Sequence, residues 1–186
     1  MVYGKKFRLL SKTYGPIVSK LIDDNQRFYW FGETIKWCFK YNDDVSIVAT
    51  CDRKTNIIHV NLCSFMKEYF EKDLRVIEYF LLHEIRHVFQ HLVIKDYKDG
   101  NEVSIEKTIV KKWIYENEHY IKSKKDDGSV NPDYFFQNSE IDAYSFSYAV
   151  MKYKNKNSGL YIPEYNTKQF WELVEEWLEY FKENKI

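Results

Sequence analysis

The stretch HEIRH, residues 83–87, lies within a helix-compatible run from residue 73 to residue 94. In an α-helix, His83 and His87 stand one turn apart on the same face, so both imidazoles can reach one tetrahedral Zn²⁺ ion. Glu84 can then reach a water molecule bound to that ion and act as the catalytic base. The motif therefore predicts a helical zinc site that suits hydrolysis.

When the residues around this motif are placed at about 100° intervals, as in an α-helix, they fall into three groups along the helix surface. One line is mostly polar, a second line is apolar and predicts contact with a core, and the ionisable residues of the motif lie between them. The polar line holds Arg75, Glu78, Tyr79, Arg86 and Gln90, the core line holds Ile77, Leu81, Ile85, Val88 and Leu92, and the border holds His83, Glu84, His87 and His91. A metal site at the edge of a core requires such a border.

Two histidines leave a zinc site incomplete, because a catalytic site has three protein ligands and one open position. The candidates for the third ligand are Glu140, Asp142 and His91 and, more remotely, His59 and His119. His91 is the nearest in sequence, but three residues at i, i+4 and i+8 on a straight helix span about 12 Å. One ion therefore cannot take all three histidines of this helix.

Glu140 and Asp142 lie about 200° apart on their own helix, so they cannot both face the metal. We predict Glu140 as the ligand, because the small residues Ala143 and Ser147 project near its side and would let the two helices approach closely. Asp142 would support the site only if the helix end is distorted. Asp142 and His91 remain the alternatives to Glu140.

The rest of the chain predicts an α+β fold that is predominantly α-helical, with a small antiparallel sheet or hairpin before the motif helix. The hairpin is indicated by two stretches rich in β-branched residues, 45–51 and 57–62, separated by polar residues. In the second stretch, His59 alternates with Ile58 and Val60, which places it on the opposite side and towards solvent.

Further helices are predicted from apolar spacing and from start signals. They are a helix that begins at Pro16 and is continued or restarted by the aromatic stretch 28–41, a helix over 103–121, a long helix from Asn131 and Pro132 to about residue 153, and a last helix over 167–184. Asn131 is the expected N-cap of the long helix. Trp30 and Trp37 are expected in the core, and the aromatic stripe of the last helix is expected to pack there too, with a partner-binding groove as the alternative.

The composition predicts one folded domain over residues 1–186, with 45% hydrophobic and 18% aromatic residues and no linker-like segment. Its 28 basic and 28 acidic residues give no net attraction to nucleic acid or to a membrane surface. The odd set Cys38, Cys51 and Cys63 lacks CxxC spacing and indicates a reducing compartment. Because no signal-like start and no membrane-length apolar run is present, we expect a cytoplasmic location.

The combination of HExxH with Glu-x-x-Ala resembles the gluzincin metallopeptidases and, more narrowly, the small ImmA/IrrE-type enzymes. HEIRH followed by His91 resembles the HELGH-x-x-x-H stretch of that family, and EIDAYSFS, residues 140–147, resembles its E-x-E-A-x-x-F-A stretch. The chain differs at three positions: Arg86, Asp142 and Tyr144 stand where the family usually has Gly, Glu, and Asn or Asp.

This resemblance implies a minimal zincin-like domain in which His83, His87 and Glu140 are zinc ligands and Glu84 is the base. The expected function is a zinc-dependent metallopeptidase that hydrolyses a peptide bond in an intracellular protein or peptide. An oxyanion donor is also needed, for which Tyr134, Tyr144 and His119 are candidates by their chemistry. Two other functions stay open, namely a zinc-stabilised regulatory or binding module without turnover and an α-rich binding domain without metal.

Overall fold

The computed structural model describes residues 2–29, 34–156, 162 and 167–186, with side chains from residue 7 onward. In chain order, its elements are α1 (Val2–Asp23), β1 (Lys36–Lys40), β2 (Ala49–Cys51), β3 (Ile57–Asn61), α2 (Leu62–Phe70), α3 (Arg75–Lys98), α4 (Lys107–Glu118), α5 (Asn138–Tyr153) and α6 (Lys168–Glu183), with 3₁₀ helices at Gln26–Phe28 and Pro132–Phe136. The predicted fold class, α+β and mostly helical, is confirmed. Among the helices in these ranges, none has the length and apolar character needed to cross a membrane.

Helix α3, which carries the HEIRH motif, is buried on nearly every side. It packs against α5, α4, α1 and strand β2. The predicted core residues Ile77, Leu81 and Ile85 are all buried. Most of the polar line predicted beside them is buried as well, with Glu78 and Gln90 each only 2% exposed and Arg75 the exception. The polar side chains of α3 therefore find their partners inside the protein.

Helix α6 packs along α5 and closes the core from outside. Its start is capped by Thr167, whose side-chain oxygen accepts a hydrogen bond from the backbone N–H of Phe170 at 3.2 Å. Phe170, Val174 and Phe181 are fully buried in the main core cluster. Most of the apolar stripe of this helix therefore packs in the protein's own core, as predicted, while Trp171 is 37% exposed.

The sheet contains the predicted hairpin and one strand that was not predicted. Strands β2 and β3 are antiparallel, while β1 pairs with β3 in parallel, which gives a mixed sheet in the order β1-β3-β2. The prediction that stretch 28–41 forms a helix is wrong at Lys36–Lys40. There, Trp37 and Phe39 alternate with exposed lysines, a period of two that indicates a strand. Trp37 packs against the core, and Trp30 lies outside the described residues.

Helix α1 begins at Val2, so the prediction that a helix begins at Pro16 is also wrong. Pro16 lies inside α1, where it has no backbone N–H to donate to the preceding turn. The helix nevertheless continues and buries Val18 and Ile22 against the core. Tertiary packing here outweighs the local preference of proline for a helix start.

The long helix predicted to begin at Asn131 and Pro132 is interrupted. Pro132–Phe136 is a 3₁₀ helix, and extended backbone at Gln137 separates it from α5. The N-terminus of α5 is instead capped from α4, because the Glu116 carboxylate accepts the backbone N–H groups of Asn138 and Ser139 at 2.6 and 2.9 Å. An anion at this end also suits the helix dipole.

Candidate metal site

Three ligand-type atoms from α3 and α5 meet at one point. His83 Nε2 lies 3.0 Å from His87 Nε2, and Glu140 Oε2 lies 3.3 Å from the first and 3.5 Å from the second. In a tetrahedral zinc site with ligands at about 2.0–2.1 Å, neighbouring ligand atoms stand about 3.3 Å apart. The three side chains therefore form a buried group that could hold a metal ion.

The approach of α5 to α3 makes this meeting possible. Glu140 lies in the first turn of α5, directly after the break at Gln137, and its side chain is almost fully buried. Ala143 and Ser147, the small residues expected near the Glu140 side, are both fully buried. The interruption before α5 and its cap from Glu116 thus set where the carboxylate of Glu140 meets the two histidines.

The two histidines are held differently. His87 Nδ1 lies 2.8 Å from the side-chain oxygen of Gln90, one turn further along α3. The ring of His83 packs on Tyr144, with ring centroids 4.2 Å apart, while its Nδ1 atom has no hydrogen-bond partner among the described residues. Polar contact orients one ring, and aromatic packing orients the other.

The charges of this group depend on one another. Burial favours a high pKa for Glu140, but the neighbouring His87 and His83 imidazoles outweigh it and lower the pKa of the carboxyl below its usual range. In His87, burial acts to lower the pKa, but the charge and hydrogen bond of Glu140 raise it to about 9. In the absence of a metal, the anion therefore draws a proton onto the histidine that faces it.

Glu84, the predicted base, is 7% exposed and lines the same cleft as the three possible ligands. Burial raises the pKa of its carboxyl, and the charge of Glu140 acts in the same direction. The imidazoles of His83 and His87 and the backbone N–H of Cys51 act against this rise. Glu84 thus lies beside the possible metal position as a buried carboxyl group with a raised pKa.

Two tyrosines also contact the carboxylate of Glu140. The Tyr134 hydroxyl donates to Glu140 Oε2 at 2.6 Å, and the Tyr120 hydroxyl donates more weakly to Oε1 at 3.4 Å. Burial raises the pKa of both phenols, so they stay protonated donors at neutral pH. Tyr120 lies just after α4, which ends at Glu118, and it lines the cleft.

The structure places the alternative third ligands elsewhere. Asp142 faces Arg86 and Gln90, His91 Nδ1 lies 2.9 Å from Asn56 Oδ1, and His119 is exposed beside Tyr115. His59, predicted to face solvent, is half-buried on the sheet with its Nδ1 3.2 Å from Cys38 Sγ. Among the described residues, only Glu140 joins His83 and His87 in a possible metal group.

A cleft of about 650 Å³ leads to this group. One wall is strand β2, which is an edge strand of the sheet, and the opposite wall comes from the segment between α4 and α5. Lys124, which lines the cleft, forms an ion pair with Asp44, its nitrogen 2.6 Å from a carboxylate oxygen. Arg53, beyond β2, packs its guanidinium 3.3 Å from the ring centre of Tyr120.

Three residues of the site were not predicted to belong to it: Gln90, Tyr120 and Glu116. Gln90 follows His87 by one helical turn, a spacing that could have indicated a contact on the same face. Nothing local indicates Tyr120 or Glu116, because their partners are about 20 residues away in sequence and meet them only in the fold.

Comparisons with protein-family models, curated proteins and solved structures found no match for this chain. Fold and site define it as a mostly helical α+β protein with a buried group of two histidines and one glutamate that could hold a metal ion.

Proposed function

We propose that this protein is a zinc-dependent metallopeptidase whose metal ligands are His83, His87 and Glu140 and whose base is Glu84. The observation that carries the proposal is the triangle of two imidazole nitrogens and one carboxylate oxygen, with edges of 3.0, 3.3 and 3.5 Å, beside a cleft that Glu84 also lines. This is the arrangement that hydrolytic zinc sites require.

The donor set favours zinc over the common alkaline-earth ions. Mg²⁺ and Ca²⁺ prefer oxygen ligands, whereas Zn²⁺ readily takes imidazole nitrogen together with a carboxylate. Within the described part of the chain, no fourth His, Cys, Asp or Glu joins the group. Three protein ligands with one open position are typical of catalytic zinc, and four protein ligands are typical of structural zinc.

The residues around the metal position can divide the chemistry between them. Bound zinc supplies a Lewis acid that polarises a carbonyl group and lowers the pKa of a water molecule. Glu84 would serve as the group that accepts a proton from the attacking water and gives it to the leaving amine. Of the phenols beside Glu140, Tyr120 is the more weakly engaged, which makes it the candidate donor to a developing oxyanion.

The cleft suits an extended peptide. Ala49–Cys51 forms an edge strand along one wall, and an edge strand can pair with an added chain through backbone hydrogen bonds. Apolar side chains such as Val48, Phe80 and Phe135 also line the cleft and can receive side chains of a substrate. The proposed substrate is therefore a protein or peptide segment in extended conformation.

The resemblance to gluzincin and ImmA/IrrE-type enzymes supports the same function. Two of the three departures from that family's motifs, Arg86 and Asp142, contact each other through two hydrogen bonds of 2.8 and 3.1 Å. These two departures therefore form one charge-balanced pair and leave the ligand positions unchanged.

Metal analysis and one substitution test this proposal. We expect one zinc ion per chain in protein purified without a histidine tag. Glu84→Gln should keep the zinc and lower peptide hydrolysis by about 10²–10⁴-fold, because it removes the proton acceptor while preserving shape. Glu68→Gln, which changes a carboxylate in the same cleft, is the matched control and should retain activity. Protein without zinc, or equal hydrolysis by wild type and Glu84→Gln across a broad peptide screen, would contradict the proposal.

The second candidate function is a zinc-stabilised binding module without turnover. It is favoured by the closed surroundings of Glu140, which is 1% exposed and held by two tyrosines. Chelation separates the two functions. A catalytic site should lose activity with a small change in melting temperature, whereas a structural site should lose much of its thermal stability.

A further inference from the structure

A chain of buried hydrogen bonds runs from His87 into the protein interior. His87 Nδ1 contacts Gln90 Oε1 at 2.8 Å, and Gln90 Nε2 donates to Asp142 Oδ2 at 2.8 Å. Asp142 in turn accepts two hydrogen bonds from Arg86, from Nε at 2.8 Å and from Nη2 at 3.1 Å. Gln90, Asp142 and Arg86 are all buried, so solvent does not compete for these contacts.

The contacts of Gln90 determine which way its amide faces. Its Nε2 donates to the backbone oxygen of Ser139 at 2.9 Å as well as to Asp142, and both partners are acceptors. The amide oxygen must therefore face His87. Because a carbonyl oxygen can only accept, His87 Nδ1 must carry a proton, which leaves Nε2 to bind the metal.

Arg86 fixes the far end of the chain. Its guanidinium makes a two-point contact with Asp142 and lies 4.4 Å from the ring centre of Phe89 and 4.6 Å from that of Trp177. Phe146 and Trp113 lie further away, at 5.5 and 6.0 Å. These rings come from α3, α6, α5 and α4, so four helices hold one guanidinium in place.

We propose that Gln90 is a positioning residue for the metal ligand His87, held in place by Asp142 and Arg86. The three residues keep the His87 ring in the orientation and tautomer that metal binding through Nε2 requires, and they connect the packing of α6 to the site. This inference rests on the proposed function, since it presumes that His87 binds zinc. His83 has no such polar support among the described residues, so the effect should be specific to His87.

Zinc affinity and histidine NMR test the chain together. In zinc-loaded protein with ¹⁵N-labelled histidine, His87 should show a slowly exchanging proton on Nδ1 and zinc on Nε2. Gln90→Met removes the acceptor with little change in shape. We expect it to lower zinc affinity about 10–100-fold in competition with a chelator, with faster exchange of the His87 proton and an unchanged His83 signal. A role in stability alone would leave the proton exchange and the zinc affinity of the folded protein unchanged.

Asn25→Leu is the control, because Asn25 is also a buried amide with hydrogen bonds at both ends, donated to Glu78 and accepted from Lys154, and it lies in the Glu78 cluster. Its zinc affinity should stay within about threefold of wild type. Equal losses in both variants, or wild-type affinity in Gln90→Met, would overturn the positioning role alone. The wild-type protein alone provides a second test, which holds even if Gln90→Met fails to fold. A spectrum that shows zinc on His87 Nδ1 would overturn the positioning role. A wild type that binds no zinc would overturn the proposed function as well.

Discussion

Two buried carboxylates lie along the contact between α3 and α5, and their surroundings are opposite. Glu78 accepts hydrogen bonds from Asn25 at 2.9 Å, from Lys154 at 2.5 Å and from Lys156 at 3.0 Å. Glu140 faces two histidines and two phenols, and within the described part of the chain no lysine or arginine forms an ion pair with it. One carboxylate is surrounded by permanent cations, and the other by groups that are neutral unless they take up a proton.

This difference indicates which of the two clusters a bound metal ion would stabilise. A buried charge needs a compensating charge, and the two lysines supply it to Glu78. Around Glu140, compensation comes from a proton on His87 or from a cation bound by both histidines and the carboxylate. Glu84 adds a second acidic group beside the same position. A divalent cation would compensate the negative charge of Glu140 and Glu84, whereas at Glu78 it would add positive charge beside two lysines.

The largest expected effect comes from Glu140→Gln, which removes one proposed ligand and keeps the side-chain shape. Changes to residues that only support a ligand lower metal affinity by up to about a hundredfold. Because Glu140→Gln alters the ligand itself, zinc affinity should fall by more than that. Glu78→Gln should leave zinc affinity unchanged. Chelator competition on both folded variants measures the contrast. Equal zinc binding by wild type and Glu140→Gln would show that Glu140 is not a ligand and that the three side chains do not form a metal site.

Glu78→Gln should instead lower the free energy of unfolding, by roughly 3 kcal/mol, because it leaves the mostly buried Lys154 without its anion. Urea unfolding in the presence of a chelator measures this loss without a contribution from metal binding. Under the same conditions Glu140→Gln should cost less. A larger loss in Glu140→Gln would reverse the comparison.

The stabilisation from Glu78 should also depend on pH. Burial favours a high pKa for Glu78, but hydrogen bonds from Lys154, Asn25 and Lys156 outweigh it and lower the pKa. The contribution is therefore fully present above the unfolded value of about 4.3 and is lost as pH falls through the lower folded value. The stability gap between wild type and Glu78→Gln, measured by urea unfolding from pH 7 to pH 3, should narrow only in that acidic range. A gap that is constant with pH would show that the carboxylate charge is not its source.

Local patterns predicted the elements that carry the site better than they predicted the surroundings of the site. The motif helix and the hairpin follow from spacing along single stretches. Glu140 was preferred because small residues lie on its side of the helix, with Asp142 and His91 left as alternatives. The polar line of α3 gave no sign that it is buried, because α5 covers it and supplies Asp142 and, just past its end, Lys154. Strand β1 was missed because its aromatic residues suggested a helix, while its partner β3 lies about 20 residues further along. Residues such as Gln90 gain their roles only when two distant helices meet.

The smallest expected effect concerns the two lysines within the Glu78 cluster. Lys154 is 12% exposed and also donates to Asn25 Oδ1 at 2.9 Å, whereas Lys156 is 43% exposed. Lys154→Met should therefore lower the free energy of unfolding by roughly 2 kcal/mol, while Lys156→Met should cost less than about 1 kcal/mol, as exposed ion pairs do. Urea unfolding of both variants with and without Glu78→Gln isolates each pair energy. Equal coupling energies for the two lysines would mean that burial does not determine the strength of their ion pairs with Glu78. The difference between the Glu78 and Glu140 clusters would then depend only on which residues surround each carboxylate.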